Sequence, residues 1–498
     1  MLGFILVGAL VYCVLGAIYR LYFHPLAKFP GPKLAAISGW YEFYHDIIHR
    51  GQFIWKVDQL HRTYGPIIRI TPSEIHIQDP SFYDDLYAPS SKRRDKYAQW
   101  TILAGAPRST FATVNHNHHR LRRSALNPFF SKRAVCHAET LIVDKVQRLC
   151  QRFQDACVRG TVIRLDTAYM ALTMDIITHY AYGESYNHLA EEDFKPEWKE
   201  TIVEASANGA LLRQFPWLLP VLKAIPLRVL RVLEPKGAAL IGWQRDVRRQ
   251  VDAIIENDKA GNKAKGTIFQ AILDSALPVE EKQADRLQDE GQTLVGAGSE
   301  TTAKALSLIT FYLLRDKSIL QRLREELVNI PIEMVEGGLL SQLEQLPYLT
   351  AIIHEGLRMM HGVTTRLPRV AHEPIQYKNW TIPANTPVSE SNYFVHMDES
   401  IFPNPNEFIP ERWINAKKNN FRLDKYLVSF SKGSRQCVGI NLAYAELYLT
   451  LATVMRKFEM DNFKTTVDDV RIVRDYFVGV PKLDSEGVRA IVTGVYKN

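Results

Sequence analysis

Apolar residues recur at intervals of three and four along most of the chain. The recurrence is clearest in residues 138–157 (AETLIVDKVQRLCQRFQDAC), in residues 269–277 (FQAILDSAL) and throughout residues 285–314. This spacing predicts amphipathic helices. The last of them is long enough to cross an entire domain at about 1.5 Å per residue.

Alternation of apolar and polar residues is confined to shorter stretches. IIRITPSEIHIQD (residues 67–79) alternates and is rich in β-branched residues, with Pro72 and Ser73 at its turn. Residues 467–496 again have the character of strands and turns. The pattern therefore predicts a mostly α protein with minor β, and without an internal repeat it indicates one large domain over residues 41–498.

The first nineteen residues, MLGFILVGALVYCVLGAIY, contain no charge. As a helix they would span about 28 Å, close to the hydrocarbon thickness of a bilayer of about 30 Å. The first cations, Arg20, Lys28 and Lys33, follow the apolar run, which places the remainder of the chain in the cytoplasm. Residues 1–20 are thus predicted to be a transmembrane anchor, with a buried core helix as the alternative.

A proline-rich connector is predicted over residues 21–40. Pro25, Pro30 and Pro32 fix the backbone and remove amide donors, which favours a stiff extended segment without a helix. Such a segment would hold the domain at a set distance from the membrane.

Composition excludes two classes of protein. The chain of 498 residues has 61 Lys+Arg and 54 Asp+Glu, a net charge of +7, and no basic stretch interleaved with aromatic residues of the kind that binds nucleic acid. The charge indicates a solvated surface or, alternatively, a basic face for an acidic protein or an anionic membrane. Five cysteines without a CxxC spacing argue against a disulfide framework and for a reducing compartment.

One of these cysteines lies in a stretch rich in glycine and cations, FSKGSRQCVG (residues 430–439). Gly433 and Gly439 allow turn geometry and a close approach of the backbone to a flat group. Arg435 carries a permanent cation whose fork suits a carboxylate. A helical pattern begins after Gly439, so a Cys437 thiolate would lie near a helix N-terminus, which favours an anion. Together these features favour a thiolate site for a haem iron over a small buried hydrophobe.

The long predicted helix contains AGSETT (residues 297–302) near its middle. Gly296 and Gly298 are weak helix formers and predict a local widening of the helix. Glu300 and Thr301 would then offer a carboxylate and a hydroxyl that can hold a water and relay protons to bound oxygen. A contact between packed helices, with Glu300 at the surface, is the alternative.

Three motifs together resemble a known family. FSKGSRQCVG, followed by Leu442 and Ala443, resembles the haem-binding signature of the cytochrome P450 family at each defining position. AGSETT resembles the family's oxygen-activation motif. Glu355 and Arg358 of HEGLR, with Arg412 of PERW, resemble its buried Glu-Arg-Arg network. The resemblance covers essentially the whole chain.

The resemblance also implies the roles of individual residues. It makes Cys437 the proximal ligand of the iron of haem b, Thr301 and Glu300 catalytic, and the Glu-Arg-Arg network structural. Aligning HRLRRSALNPFFS with the family puts Arg123 at the arginine of a WxxxR motif and His119 where tryptophan is usual. The implied cofactor-binding residues are Cys437, Arg435, Phe430, Gly433, Gly439, Arg123, His119, Arg369, Ala297 and Gly298.

The implied fold is the cytochrome P450 fold behind a single N-terminal transmembrane helix. The implied activity is that of a haem-thiolate monooxygenase in the endoplasmic reticulum membrane, with its catalytic domain in the cytosol. Its electrons would come from NADPH through cytochrome P450 reductase, an acidic partner suited by Lys432 and the basic charge, with cytochrome b5 as an optional second partner.

A narrower resemblance bears on the substrate. YRLYFHPLAKFPGPKLAA and GVTTRLPRVA are similar to filamentous-fungal enzymes of the trichodiene-oxygenase kind. This implies hydroxylation or epoxidation of a lipophilic terpenoid or polyketide intermediate of secondary metabolism. The pocket would be lined by residues 100–115, the stretch before Ala297, residues 363–367, Phe477 and Val478. A reductase-independent isomerase or peroxygenase of the same fold, and a non-catalytic haem-binding protein, remain as alternatives.

Overall fold

Helices form most of the protein in the computed structural model, which describes residues 1–263, 266–331 and 338–496. The α-helices are α1 (Leu2–Ile18), α2 (Lys33–Ile37), α3 (Trp40–Phe43), α4 (Phe53–Tyr64), α5 (Tyr83–Leu86), α6 (Ala98–Thr101), α7 (His116–Leu126), α8 (Lys132–His137), α9 (Glu139–Arg159), α10 (Leu165–Tyr182), α11 (Pro196–Ala207), α12 (Gly209–Gln214), α13 (Leu218–Ala224), α14 (Leu227–Leu233), α15 (Pro235–Lys259), α16 (Ile268–Asp274), α17 (Ala284–Arg315), α18 (Lys317–Leu327), α19 (Leu339–Leu343), α20 (Pro347–Met360), α21 (Asn392–His396), α22 (Glu411–Lys418) and α23 (Ile440–Lys457). Two π-helical turns are Tyr19–Phe23 and Tyr44–Ile48, and the 3-10 turns are Ile102–Ala104, His188–Ala190, Val279–Lys282, Leu423–Tyr426, Gly433–Arg435 and Val467–Asp469.

The strands are short and form small sheets beside the helical body. They are β1 (Ile67–Arg69), β2 (Ile75–Ile77), β3 (Asp95–Lys96), β4 (Val162–Arg164), β5 (Arg369–Val370), β6 (Ile375–Tyr377), β7 (Trp380–Ile382), β8 (Pro387–Ser389), β9 (Phe458–Asn462), β10 (Arg474–Tyr476), β11 (Val478–Val480) and β12 (Arg489–Val495). Among the described residues, one sheet has the order β1-β2-β8-β5-β3 and another the order β4-β12-β9, and two hairpins pair β6 with β7 and β10 with β11.

Helix α17 organises the core. Its residues from Ala305 to Leu314 are all buried, and it packs against α10, α15, α20 and α23. The predicted long helix and the predicted helix near residues 138–157, which is α9, are both confirmed. The predicted strand-turn-strand at residues 67–79 is confirmed as β1 and β2, which pair antiparallel. All six strand residues are buried because the sheet has cover on both faces.

The N-terminal helix stands apart from this core. The span Leu2–Phe23 is long and apolar enough to cross a membrane, and none of it is buried against the rest of the protein. An amphipathic core helix would bury one face, so the exposed helix suits a bilayer better than a protein interior.

The segment after this helix differs in part from its prediction. Residues 24–32 lack a helix, but Leu26 and Phe29 are buried and the Pro30 carbonyl accepts a hydrogen bond from the Arg69 amide at 2.7 Å. The prediction that residues 21–40 contain no helix is wrong over Lys33–Ile37 and at both ends of the segment, which fall in the π-helical turn Tyr19–Phe23 and at the start of α3. Pro32 is the residue that caps this helix, a position where proline costs no hydrogen bond.

Candidate functional site

The cysteine loop precedes α23 and is fixed by the main chain. The Cys437 amide donates to the Phe430 carbonyl at 3.0 Å, and the Ser434 amide donates to the Ala88 carbonyl at 3.2 Å. Gly433 has φ +72°, and a Cβ there would lie 2.2 Å from the Ala88 oxygen, so this position requires glycine. Nothing lies within 4 Å of a Cβ built at Gly439. The surrounding protein therefore explains why position 433 is a glycine, whereas it leaves open space beside Gly439.

Cys437 has an accessible side chain in the midst of this packed loop. Burial raises the pKa of its thiol, while the Gly439 amide and the charge of Arg123 lower it. The Cys437 thiol is therefore accessible from one side while the loop surrounds it on the others. Arg123 also donates to the Gln436 carbonyl at 2.8 Å, which ties α7 to the loop.

Four cations converge near the loop from separate elements. They are Lys96 of β3, Arg123 of α7, Arg369 of β5 and Arg435 of the loop, and none forms an ion pair with a described residue. The pKa of Lys96 is lowered well below its ordinary value, first by burial and then by Arg369, Arg435 and Arg123. Burial and Arg369 lower the pKa of Arg435 to about 9. Such a cluster of donors needs an anion that the protein itself does not supply.

The contacts of these cations leave donor groups free. Arg435 donates to the carbonyls of Thr113 and Val114, both at 2.6 Å, but its Nε is buried without a hydrogen-bond partner among the described residues. Arg369 is 3% exposed, and its hydrogen bonds to described residues are those to the carbonyls of Leu367 and Pro368, at 3.4 and 3.2 Å, while its guanidinium lies over the Tyr87 ring.

His119 lies beside the same cluster. Its side chain is buried, and Nδ1 has no hydrogen-bond partner among the described residues. Burial, and then Arg435 and Lys96, lower the pKa of His119 to about 2, so the ring is neutral and can donate from one nitrogen.

The residues of the AGSETT segment lie on two different faces of helix α17. Ala297 is exposed although it lies within this largely buried helix, and the Thr301 hydroxyl donates to the Ala297 carbonyl at 3.0 Å. Gly298 faces the other way, because a Cβ there would lie 2.7 Å from Ile177 of α10. The structure thus gives Gly298 a packing role, and its expected contact with the cofactor, which only its backbone could make, stays a prediction. The helix is α-helical throughout, so the predicted widening is absent from this described segment.

Glu300 is half-buried on the same helix. Burial raises its pKa to about 7, against the opposing charges of Lys304 and Lys199. Lys304, one turn further along, has a buried Nζ without a hydrogen-bond partner among the described residues, and burial lowers its pKa to about 8. The surface position considered as an alternative for Glu300 is therefore wrong.

Glu355, Arg358 and Arg412 meet in one buried network. Glu355 and Arg358 are both 0% exposed and join through two hydrogen bonds of 2.9 and 2.7 Å. Arg412 Nε and the Trp413 indole each donate to Glu355 at 3.0 Å. Arg358 also donates to the carbonyls of His396, Pro405 and Glu407, which fixes the segment leading to the cysteine loop.

The stretches expected to line a substrate pocket also come together. The rings of Trp100 and Phe111 are 5.9 Å apart, and the ring of Phe111 is 5.8 Å from that of Phe477. Val363 and Val478 form an isolated β-bridge beside them. This arrangement is an aromatic and aliphatic cluster next to Lys96, whose Nζ lies 3.6 Å from the Phe111 ring centre; Trp100 is fully buried within it, whereas Phe111 and Phe477 are partly buried.

Comparison with known proteins decides the family. The model of the family described as Cytochrome P450 matches residues 32–476. The chain belongs to the cytochrome P450 family. As a cytochrome P450 it is an oxidoreductase of the monooxygenase class and uses haem b, as the sequence motifs predicted.

Its relatives in this family are fungal enzymes. The chain is 46% identical to "Conidiogenone synthase PchP450" of Penicillium rubens, over 96% of both chains. It is 41% identical to "Tryptophan 6-hydroxylase fscE" of Fusarium equiseti, over 98% of this chain and 96% of the relative. A crystal structure of the cytochrome P450 CYP102L1 has a TM-score of 0.70 at 18% identity, covering 88% of this chain and 94% of the other, and confirms the P450 fold.

The residues present fit haem b. The cluster of unpaired cations suits the two propionate groups, and the accessible Cys437 thiol could serve as the one ligand that a P450 haem iron takes from the protein. Sequence reasoning missed Lys96 and Lys304. Lys96 lies in RRDKYAQW, where a lysine followed by aromatic residues was a usable signal, whereas nothing in AGSETTAK distinguishes Lys304 from a solvated lysine.

Proposed function

We propose that this cytochrome P450 is a haem-thiolate monooxygenase in which Cys437 is the iron ligand. The observation that supports this best is the cluster of Lys96, Arg123, Arg369 and Arg435 beside the Cys437 loop, without an ion-pairing carboxylate among the described residues. Haem bound there would supply the chemistry that activates O₂. The Gly439 amide and Arg123 would stabilise the thiolate form of Cys437 against the cost of burial.

Thr301 and Glu300 would supply protons to the distal side. The Thr301 hydroxyl donates to the Ala297 carbonyl and keeps its lone pairs available to accept a hydrogen bond from water. A Glu300 pKa of about 7 lets this carboxyl both release and take up a proton near neutral pH. Ala297, His119, Phe430 and Gly439 would contact the cofactor, and Gly433 would shape the loop around it.

The substrate we propose is a lipophilic intermediate of fungal secondary metabolism, a terpenoid or polyketide, which the enzyme hydroxylates or epoxidises. The partly buried rings of Phe111 and Phe477, packed beside Trp100, support an apolar substrate. One relative is named as a tryptophan 6-hydroxylase, so amino-acid-derived substrates belong in the same screen.

Electrons would come from NADPH through cytochrome P450 reductase, with cytochrome b5 as an optional partner. Lys432 is weaker support for the docking of the reductase than its place near Cys437 in the sequence suggested, because its ammonium already pairs with Asp84 at 2.6 Å. The span Leu2–Phe23 would anchor the enzyme in the endoplasmic reticulum membrane in a single pass, with residues 41–498 in the cytosol. The five residues Tyr19–Phe23 beyond α1 belong to the same span, which therefore ends three residues past the predicted boundary at residue 20.

The difference spectrum of the reduced, carbon-monoxide-bound protein tests the central assignment. We expect a Soret band at the position of thiolate ligation, lost in Cys437→Ser and kept in Cys136→Ser, which removes an exposed cysteine instead. An unchanged spectrum in Cys437→Ser would disprove the assignment. Consumption of NADPH and O₂ that depends on both substrate and reductase would then exclude a reductase-independent isomerase or peroxygenase.

A further inference from the structure

A buried cation of α17 has no part in the chemistry described above. The Lys304 Nζ is buried without a hydrogen-bond partner among the described residues, and none of the ion pairs in that part of the chain includes it. An ammonium group withdrawn from water is unfavourable unless a negative charge lies close to it. The position of Lys304 therefore has to be explained by the charges around it.

Glu300 precedes Lys304 by four residues on the same helix. Side chains at this spacing lie on one face of an α-helix, and a glutamate placed before a lysine is the favourable order. Among the charges that act on the Glu300 carboxyl, that of Lys304 is the strongest and that of Lys199 comes second. Burial opposes the charged form of Glu300 and of Lys304, whereas the charge of each favours that of the other, so their protonation is linked.

Two other charged residues act on Lys304, and each of them has a partner of its own. Lys199 of α11 pairs with Asp166 near the start of α10. Asp475 of β10 accepts a hydrogen bond from the Thr364 hydroxyl at 2.9 Å. Helix α11 packs against both α17 and β10, which brings these charges into one region of the protein. Neither Lys199 nor Asp475 therefore depends on Lys304 for a partner.

The His361 ring is a further titratable group beside Lys304. Burial, and then the charges of Arg358 and Lys304, lower the pKa of His361 to about 3, so the ring is neutral near physiological pH and cannot balance the ammonium. The strongest favourable charge on Lys304 is that of Glu300, ahead of that of Asp475.

We propose that Lys304 is a positioning residue that balances Glu300 between its protonated and its charged form. Glu300 would pass a proton to a water at the Thr301 hydroxyl, the Lys304 ammonium would stabilise the carboxylate left behind, and a proton from solvent would restore the acid. The inference rests on the role proposed above for Glu300 and adds the residue that sets the pH range of that role. Lys304 itself contacts neither substrate nor cofactor in this scheme.

Removing the ammonium should keep Glu300 protonated up to a higher pH. Lys304→Met keeps an unbranched side chain and removes the charge, so burial of Glu300 is opposed by one cation fewer. We expect the midpoint of the Glu300 titration to rise by about one pH unit. Lys304→Arg retains a positive charge and should leave this midpoint close to that of the unsubstituted chain.

Infrared titration of the full chain in detergent micelles measures this midpoint. The absorption of the protonated Glu300 carboxyl is obtained at each pH by subtracting the spectrum of the same chain with Glu300→Gln. Lys418→Gln, which removes an exposed lysine elsewhere, should leave the midpoint unchanged. A purely structural role of Lys304 would change the stability of the protein without moving this titration.

Three results would overturn the proposal. The first is an unchanged midpoint in Lys304→Met. The second is a raised midpoint in Lys304→Arg, and this variant also decides the matter if Lys304→Met does not fold. The third is a pH dependence of the unfolding free energy that Lys304→Met alters equally with and without Glu300→Gln, which would assign the lysine to Asp475.

The yield of product per NADPH separates this proposal from the function on which it rests. With reductase and the first substrate found in the screen above, the pH of half-maximal yield should rise in Lys304→Met together with the infrared midpoint. An unchanged yield in Glu300→Gln would disprove the proton-supplying role of Glu300, whereas the infrared titration would still show whether Lys304 sets the protonation of this carboxyl.

Discussion

Lys96 and Arg369 are directly opposite one another on the antiparallel strands β3 and β5. Side chains opposite one another leave a sheet on the same face, so two positive charges are held side by side. Neither forms an ion pair with an acidic residue in the described part of the chain, and the Lys96 ammonium contacts the Phe111 carbonyl and the rings of Phe111 and Trp100. A sheet that holds two like charges together is unfavourable by itself and becomes favourable when an anion bridges them.

Replacing Lys96 should therefore have opposite effects on the free and the haem-bound chain. We expect Lys96→Gln to raise the melting temperature of the haem-free protein, because one repulsive charge is removed. The same change should weaken haem binding about 10- to 100-fold. This factor corresponds to the loss of one hydrogen bond to a charged group, which contributes about 1.5–3 kcal/mol. Thermal unfolding and transfer of haem to apomyoglobin measure the two effects. Lys418→Gln, which replaces an exposed lysine, should change neither the melting temperature nor haem binding. Equal effects of the two substitutions would contradict a role of Lys96 in holding haem.

The two glycines of the cysteine loop should respond differently to alanine. Gly433→Ala places a Cβ 2.2 Å from the Ala88 carbonyl oxygen at a φ of +72°, so we expect a loss of stability of at least roughly 1–3 kcal/mol. Gly439→Ala meets no protein atom within 4 Å and should leave the stability of the haem-free chain unchanged. Urea unfolding of both haem-free variants tests this contrast. Equal destabilisation would show that the loop is held differently.

Loss of the Glu355 carboxylate should destabilise the fold severely. Glu355→Ala leaves the buried cations Arg358 and Arg412 without their partner, which typically costs about 3–5 kcal/mol. The pair of Arg471 and Asp468 has the same spacing but is largely exposed, so Asp468→Ala should have no measurable effect. Urea unfolding compares the two. A small effect of Glu355→Ala would mean that the network can rearrange around the loss.

Glu300 should make the stability of the protein depend on pH. Its pKa rises from 4.5 in the unfolded chain to about 7 in the folded one, so the folded state binds more protons between these values. Stability contributed by the protonated carboxyl is complete below pH 4.5 and is lost as the pH rises to about 7. As the pH rises from 4.5 to about 7, the unfolding free energy of Glu300→Gln should increase relative to that of the unsubstituted chain. Above this interval the difference should stay constant. A difference independent of pH would disprove the raised pKa.

Thr301 should govern how efficiently electrons are used. Thr301→Ala should retain haem and its spectrum, because the hydrogen bond of the hydroxyl to a described residue goes to the Ala297 carbonyl of the same helix. The yield of product per NADPH should fall, since the proton relay loses a member. Thr301→Ser restores a hydroxyl and should recover most of the yield. Unchanged yield in Thr301→Ala would exclude the relay.

The sequence alone determined the features that depend on neighbouring residues. The periodicity of residues 285–314 requires one helix wherever it packs, and the uncharged residues 1–19 can be satisfied only by an apolar environment. The Cys437 motif is similarly local, because Gly433, Arg435, Gly439 and the start of α23 all lie within a few residues of the cysteine in the chain. These local signals were sufficient for the fold class, the family and haem as the cofactor.

Only the tertiary structure decided which distant residues meet. Lys96 joins Arg369 through strand pairing across more than 270 residues of chain, a register that no local pattern specifies. Gly298 faces Ile177 and not the open side of α17, because the neighbouring helix α10 crosses there. The Lys304 Nζ is buried for the same reason, because the elements that pack against a helix decide which of its side-chain atoms are exposed. Electrostatics at the site therefore depends on long-range packing, whereas its chemistry could be predicted from the motif.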